Sequence, residues 1–216
     1  MLDGVGAGTA LGVLALAVVL ATGLWWIVFR WQPANFWLLM ACSTALLGGI
    51  TLWLQAFPHP GFRLSDVLWG VASAAALYGV FRGGQAILTA IIPSSAKPVA
   101  QVYATKDQCP LWVIALLLLL VIGPGEELFW RGLVQGTLAT WWPGWVALTL
   151  AAGVYAAVHV VTRNPILVLA ALVSGLGWGA IYLLTGSIVA VIVSHALWDA
   201  STLVFLPLVV SRTGTA

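Results

Sequence analysis

The chain has 216 residues, of which 62% are hydrophobic and only 6% are charged. Its mean hydropathy of +1.07 excludes an ordinary soluble domain, in which about 25% of residues are charged. A formal net charge of +2, scattered along the chain, gives no indication of a nucleic-acid partner.

Seven apolar segments follow one another, each long enough to cross the hydrocarbon core of a bilayer. The runs are continuous instead of alternating, which favours helices over a β-barrel. The predicted fold class is therefore all-α, a polytopic transmembrane helical bundle. No basic region precedes the first segment, and it is longer than the apolar part of a signal peptide, so we expect a retained first span. The segments are 7–29, 35–57, 66–92, 110–138, 143–161, 165–184 and 187–209.

A polar stretch at 93–109 separates the first three segments from the last four. We expect one integral-membrane domain with two parts. Residues 1–109 form the N-terminal transmembrane helices and the connecting loop, and residues 110–216 form a C-terminal bundle that contains the catalytic residues.

The basic residues of the loops predict the orientation, because Lys and Arg concentrate on the cytoplasmic side of a membrane. If the N-terminus is outside, only Arg63 lies in an outer loop. We therefore expect the N-out, C-in orientation, in the cytoplasmic membrane of a bacterium. The basic residues that then fall on the inner side are Arg30, Lys97, Lys106, Arg163 and Arg212.

Ionisable side chains at membrane depth are costly and by default mark a functional site. Glu127 and Arg131 are four positions apart with the acid first, the favourable order for a helical ion pair. Glu126 points about 100° away from its neighbour and needs another partner, so it is the candidate general base or acid. Arg82 lies near the end of its span and is set aside. The remaining ionisable residues, all in the C-terminal part, are Glu126, Glu127, Arg131, His159, His195 and Asp199.

Two more pairs repeat the four-residue spacing, Tyr155 with His159 and His195 with Asp199. A Glu from one helix, a His from a second and a His–Asp pair from a third can converge on one water molecule. We therefore predict a polar catalytic cavity in the C-terminal part, open toward the inner face and laterally toward lipid. On straight helices Glu126, His159 and His195 lie at different depths, so convergence requires tilted or broken helices. The Gly and Pro residues at 123–125 predict a kink there.

These residues resemble the membrane-embedded protease family that contains type II CAAX prenyl endopeptidases and the bacteriocin-processing and immunity proteins, often called CPBP or ABI. The resemblance covers about 120–200, with the motifs in family order. The motifs are EExxxR at Glu126, Glu127 and Arg131, FxxxH at Tyr155–His159 with Tyr in place of Phe, and HxxxN/D at His195 and Asp199.

The resemblance implies that Glu126 and His159 activate a water, while His195 and the residue at 199 stabilise the oxyanion. An ionised Asp cannot donate a hydrogen bond to an oxyanion. Asp199 is then protonated, orients His195 by accepting a hydrogen bond, or helps to hold a metal, and we favour the orienting role. Zinc is an alternative to a metal-free, glutamate-type centre, with His159, His195 and Asp199 as possible ligands. Cys42 and Cys109 have no metal-ligand spacing and predict no disulfide framework.

The predicted function is an intramembrane endopeptidase that hydrolyses a peptide bond near the membrane face. Its predicted partners are the lipid bilayer and a membrane-anchored, lipidated or apolar-tailed polypeptide, with no nucleic acid. One alternative is a proton-coupled transporter or channel with a Glu/His/Asp relay, although no inverted repeat is visible. Another is a membrane cytochrome with His159 and His195 as haem ligands, which has no need of the carboxylates.

Overall fold

A computed structural model describes residues 6–54 and 62–208. Every regular element within these ranges is helical, as expected for apolar segments whose backbone polar groups find no partners in lipid. The α-helices are α1 (Ala7–Trp26), α2 (Phe36–Trp53), α3 (Leu64–Ile91), α4 (Ala96–Tyr103), α5 (Leu111–Leu117), α6 (Gly123–Glu127), α7 (Gly136–Leu138), α8 (Gly144–His159), α9 (Pro165–Thr185) and α10 (Ile188–Asp199).

Seven helical stretches among the described residues are long and apolar enough to cross a membrane. This confirms the predicted all-α bundle and its seven spans. The predicted segments extend to 57 and 209, and residues 55–57, 209 and Arg212 lie outside the described ranges. The spans, numbered first to seventh, are Gly8–Trp31, Phe36–Trp53, Leu64–Ile91, Leu111–Leu138, Gly144–Thr162, Pro165–Thr185 and Ile188–Phe205.

Polar caps determine where several helices begin. The side-chain oxygen of Asn35 accepts hydrogen bonds from the backbone at the start of α2. Asn164 does the same for α9, where Pro165 follows at the first helical position. Ser187 caps α10 after Gly186, whose positive φ of 62° ends α9. These caps fix the short turns between the fifth, sixth and seventh spans.

The fourth span is built from short α-helices separated by wider π-helical turns. Leu118–Ile122 and Leu128–Gln135 are π-helical, and α6 lies between them. Pro124 has no backbone N–H to donate, and a wider turn next to it accommodates the missing hydrogen bond. The irregularity expected at 123–125 therefore takes the form of π turns on both sides of the glutamate pair.

Two glycines allow the fourth span to lie at the centre of the bundle. A side chain at Gly125 would overlap the backbone of Thr44 in the second span, and one at Gly123 would meet Ala196 in the seventh. The backbones approach closely where these glycines lie, as small residues permit in membrane bundles. The third span packs along the seventh. The N-terminal helices thus pack directly on the C-terminal ones.

Candidate active site

The polar side chains of the fourth, fifth and seventh spans line one cavity with a volume of ≈ 630 Å³. The predicted residues among them, Glu126, Tyr155, His159, His195 and Asp199, are each at most 9% exposed. Glu127 and Arg131 lie behind the cavity wall, at 0% and 2% exposure. The structure therefore brings the predicted residues together despite their different positions along the spans. The predicted residues in the wall are Glu126, Tyr155, His159, His195 and Asp199.

Glu126 accepts a hydrogen bond from the hydroxyl of Tyr155, whose oxygen lies 2.9 Å from Oε2. The partner that the sequence requires for Glu126 is thus an uncharged donor on the fifth span. A carboxylate offers about four lone-pair positions. One contact with Tyr155 leaves acceptor capacity at the cavity wall for a water molecule.

Arg131 joins the fourth span to the sixth. Its Nη1 donates to Glu127 Oε1 over 2.8 Å, the ion pair that the four-residue spacing predicts. Its Nη2 donates to the backbone carbonyl of Gly175 over 3.3 Å. The guanidinium lies between two aromatic rings, 5.3 Å from the ring centroid of Tyr155 and 5.4 Å from that of Trp178. Such contacts compensate the burial of the cation.

His195 lies between two carboxylates and stacks on an indole. Its Nδ1 is 2.5 Å from Glu127 Oε1, and its Nε2 is 3.3 Å from Asp199 Oδ2. The Trp178 ring stacks on the imidazole at 3.7 Å between centroids. If both carboxylates are ionised, both ring nitrogens must carry protons, because a carboxylate only accepts. Glu127, which the sequence pairs with Arg131 alone, is shared by Arg131 and His195.

His159 is held by two hydrogen bonds. Its Nδ1 lies 2.8 Å from the backbone carbonyl of Tyr155, and its Nε2 lies 3.2 Å from the indole Nε1 of Trp25. A carbonyl only accepts, so Nδ1 donates and carries the proton; the indole only donates, so Nε2 is the acceptor. Trp25 is a site residue that sequence reasoning misses, because nothing distinguishes it among thirteen tryptophans.

The zinc alternative does not fit this arrangement. Among the described residues, no group of three or more His, Cys, Asp or Glu side chains is placed to hold a metal ion. All four ring nitrogens of His159 and His195 contact protein groups, so neither imidazole has a lone pair free for a metal or a haem iron. The suggested ligand set of His159, His195 and Asp199 therefore stays a prediction that this arrangement does not support. Cys42 and Cys109 are free thiols.

The cavity continues from the polar residues to the end of the bundle that holds α4 and the 162–164 turn. Tyr103 lies there; its hydroxyl donates to the carbonyl of Thr202 over 3.0 Å and accepts from the backbone N–H of Leu208 over 3.1 Å. Burial raises the pKa of Tyr103, so this phenol remains a neutral donor. Toward the third and sixth spans the wall is apolar, formed by Ile87, Leu88, Ile91, Ile166, Leu169 and Val173.

Residues 108–201 match a protein-family model described as Rce1-like, type II CAAX prenyl endopeptidase Rce1-like. No curated protein and no solved structure was found to match the chain. The matched residues include Glu126, Glu127, Arg131, Tyr155, His159, His195 and Asp199, whereas Trp25 and Tyr103 lie outside the match. The match supports a protease and gives the transporter alternative no support.

Proposed function

We propose that this chain, whose residues 108–201 match the model of the Rce1-like family of type II CAAX prenyl endopeptidases, is a protease of that kind and hydrolyses a peptide bond by a water that Glu126 activates. The substrate in this proposal is a membrane-anchored polypeptide with a lipidated or apolar tail. The cut lies near the membrane face at which the cavity ends. The N-out, C-in orientation predicted from the loop charges makes this the inner face.

The observation that carries the proposal is the different placement of the two adjacent glutamates. Glu126 lines the cavity and has only the Tyr155 hydroxyl as a hydrogen-bond partner in the described chain. Glu127 is fully buried and shares one oxygen between Arg131 and His195. A general base must reach the water from which it takes a proton. Glu126 meets this requirement, and Glu127 acts as the structural anchor.

In the proposed reaction, the Glu126 carboxylate takes a proton from a water molecule as the water oxygen attacks the carbonyl carbon of the scissile bond. The carbonyl oxygen becomes an oxyanion. When the carbon–nitrogen bond breaks, Glu126 gives the proton to the departing amine nitrogen, so the carboxylate is restored. The products are a carboxylic acid and an amine; the acid then gives its proton to the amine, which leaves a carboxylate and an ammonium group.

His195 is the proposed donor to the oxyanion. Its contact with Asp199, at 3.3 Å, is longer than its contact with Glu127, at 2.5 Å. We propose that, during the reaction, the Nε2–H of His195 donates to the oxyanion instead of to Asp199. The contact of Nδ1 with Glu127 keeps the imidazole in place. A donor held in position before the reaction stabilises the developing charge without reorganisation. Asp199 then orients His195 between turnovers.

The apolar wall between the third and sixth spans supports the substrate class. The side chains there, Ile87, Leu88, Ile91, Ile166, Leu169 and Val173, adjoin the same cavity as Glu126. An apolar tail between these helices remains in a hydrophobic environment while the polypeptide reaches the carboxylate. A CAAX sequence, which the family name contains, is a C-terminal cysteine that carries a prenyl group, followed by three residues.

The experiment uses the purified protein in lipid vesicles with a fluorescence-quenched peptide. One peptide ends in S-farnesyl-cysteine plus three residues, and its control has the same sequence without the farnesyl group. We expect release of the C-terminal tripeptide from the farnesyl peptide, with protein-free vesicles as the blank. Vesicles that contain a pH-sensitive dye report proton flux in parallel. Proton flux without cleavage of a lipidated or an apolar-tailed peptide would replace the protease by the transporter.

A further inference from the structure

We propose that Trp25 is a positioning residue of this active site, an inference that rests on the proposed function. The indole keeps His159 in the tautomer with its proton on Nδ1 and engages the Nε2 lone pair. Water activation then belongs to Glu126, and the first span becomes part of the site although it lies outside the family-matched residues.

The geometry of the contact supports this role. Trp25 Nε1 lies 3.2 Å from His159 Nε2, and the two side chains belong to residues 134 positions apart. The tryptophan is 0% exposed and the histidine 5% exposed. A hydrogen bond between buried groups is not exchanged for one to bulk water, and its loss leaves an unsatisfied polar atom. The contact therefore constrains the ring in the resting protein.

Aromatic packing holds the indole in position. The Trp25 ring packs edge-to-face on Trp130, with 6.4 Å between centroids and an interplanar angle of 88°. Trp130 in turn packs edge-to-face on Tyr155 at 5.0 Å. Tyr155 supplies both the carbonyl that accepts from His159 Nδ1 and the hydroxyl that donates to Glu126. Trp25 thus belongs to the same packed group as the proposed base.

The consequence concerns which residue takes the proton from water. If Nε2 of His159 were the base, the indole would occupy the lone pair that the reaction needs, and removing the indole N–H would raise the rate. If Trp25 positions His159, removing the N–H loosens the imidazole that packs on Tyr155, whose hydroxyl donates to Glu126, and lowers the rate. The two roles predict changes of opposite sign.

The test compares Trp25→Phe with Trp26→Phe. Trp26 is the neighbouring residue on the same helix, is 51% exposed and packs against Trp31. We expect Trp25→Phe to lower kcat for the farnesyl peptide about tenfold, the order expected for one lost buried hydrogen bond, with KM unchanged. Trp26→Phe should match the parent. A kcat for Trp25→Phe equal to or above that of the parent would overturn the proposal.

The nitrogen-15 resonances of His159 give a readout that does not depend on a substrate. We expect the parent to show a protonated Nδ1 and a hydrogen-bonded, unprotonated Nε2, and the Nε2 resonance to move in Trp25→Phe but not in Trp26→Phe. An unmoved Nε2 resonance overturns the proposal. If the parent cleaves no peptide, the proposed protease fails while the resonances still decide whether Trp25 sets the tautomer.

A second replacement keeps the proposal testable if Trp25→Phe does not fold. Benzothienylalanine introduced at position 25 keeps the shape of the indole and replaces the N–H by sulfur. The same loss of kcat and the same shift of the Nε2 resonance are expected, and their absence would overturn the role assigned to the indole N–H.

Discussion

The carboxylate of Glu127 lies 2.5 Å from Nδ1 of His195, although 68 positions separate the two residues in the chain. The same oxygen accepts the ion pair from Arg131 at 2.8 Å. Glu127 therefore ties the fourth span to the seventh, and through Arg131 and the Gly175 carbonyl to the sixth. Because Glu127 has this structural role, the adjacent Glu126 is the glutamate that we propose as the base.

Glu127→Gln should destabilise the protein strongly. The amide keeps the size of the side chain but removes the negative charge that compensates the buried Arg131 and His195. Removing one partner of a buried ion pair costs about 3–5 kcal/mol. We expect a lower yield of folded protein and a lower unfolding temperature in detergent, followed by circular dichroism. Glu126→Gln is the matched control at the adjacent position. Equal unfolding temperatures for Glu127→Gln and the parent would contradict the anchoring role.

Asp199→Asn should retain substantial activity. The amide oxygen can still accept from His195 Nε2, which lies 3.3 Å from Asp199 in the parent, and the amide can also donate to an oxyanion. We expect the cleavage rate to stay within about tenfold of the parent, since at most one hydrogen bond weakens. Asp199→Ala removes the acceptor and should be slower. Metal content measured on the same samples should not change. Loss of both activity and bound metal in Asp199→Asn would contradict the orienting role.

Tyr155→Phe should preserve the fold and reduce the rate. Phe retains the ring that packs on Trp130 and His159 but removes the hydroxyl that donates to Glu126. The loss of a buried hydrogen bond to a carboxylate predicts a fall of about tenfold in kcat. The cleavage rate and the unfolding temperature of Tyr155→Phe are each compared with those of the parent. An unchanged rate with intact fold would show that the hydroxyl does not support the base, in line with the Phe of the family motif.

Cysteine labelling tests the orientation. The parent for this test is the protein with Cys42→Ser and Cys109→Ser. One variant adds Thr162→Cys at the end of the fifth span, and the other adds Thr140→Cys in the loop before that span. Thr162 lines the cavity, and Thr140 is exposed. We expect a membrane-impermeant thiol reagent to label position 140 in intact cells and position 162 only in inverted vesicles. The reverse pattern would contradict the N-out, C-in orientation.

The seven spans are predictable from the sequence because apolar length and proline positions alone fix them within a few residues. The ion pair of Glu127 with Arg131 and the shared face of His195 and Asp199 follow from helical spacing, since both pairs lie within one helix. Contacts within one helix depend only on helical geometry, so they can be predicted from the sequence.

Contacts between different spans cannot be predicted from spacing along one helix. The Glu127–His195 and Trp25–His159 hydrogen bonds depend on the rotation and depth of separate helices. Straight spans place Glu126 and His195 at different depths, and π turns in the fourth span together with glycine contacts at Gly123 and Gly125 change that geometry. No spacing rule predicts where a π turn forms. The structure was therefore needed to show that Glu127 also contacts His195 and that Trp25 contacts His159.

The role of Glu126 as the base is tested by the rate at which Glu126→Gln cleaves the farnesyl peptide in vesicles. Gln has the shape of Glu and can accept from Tyr155, but it cannot take a proton from water. General base catalysis typically contributes about 10²–10⁴ in rate, so we expect a fall of that order with an unchanged unfolding temperature. A Glu126→Gln protein that is folded and cleaves the peptide at the parent's rate would contradict it.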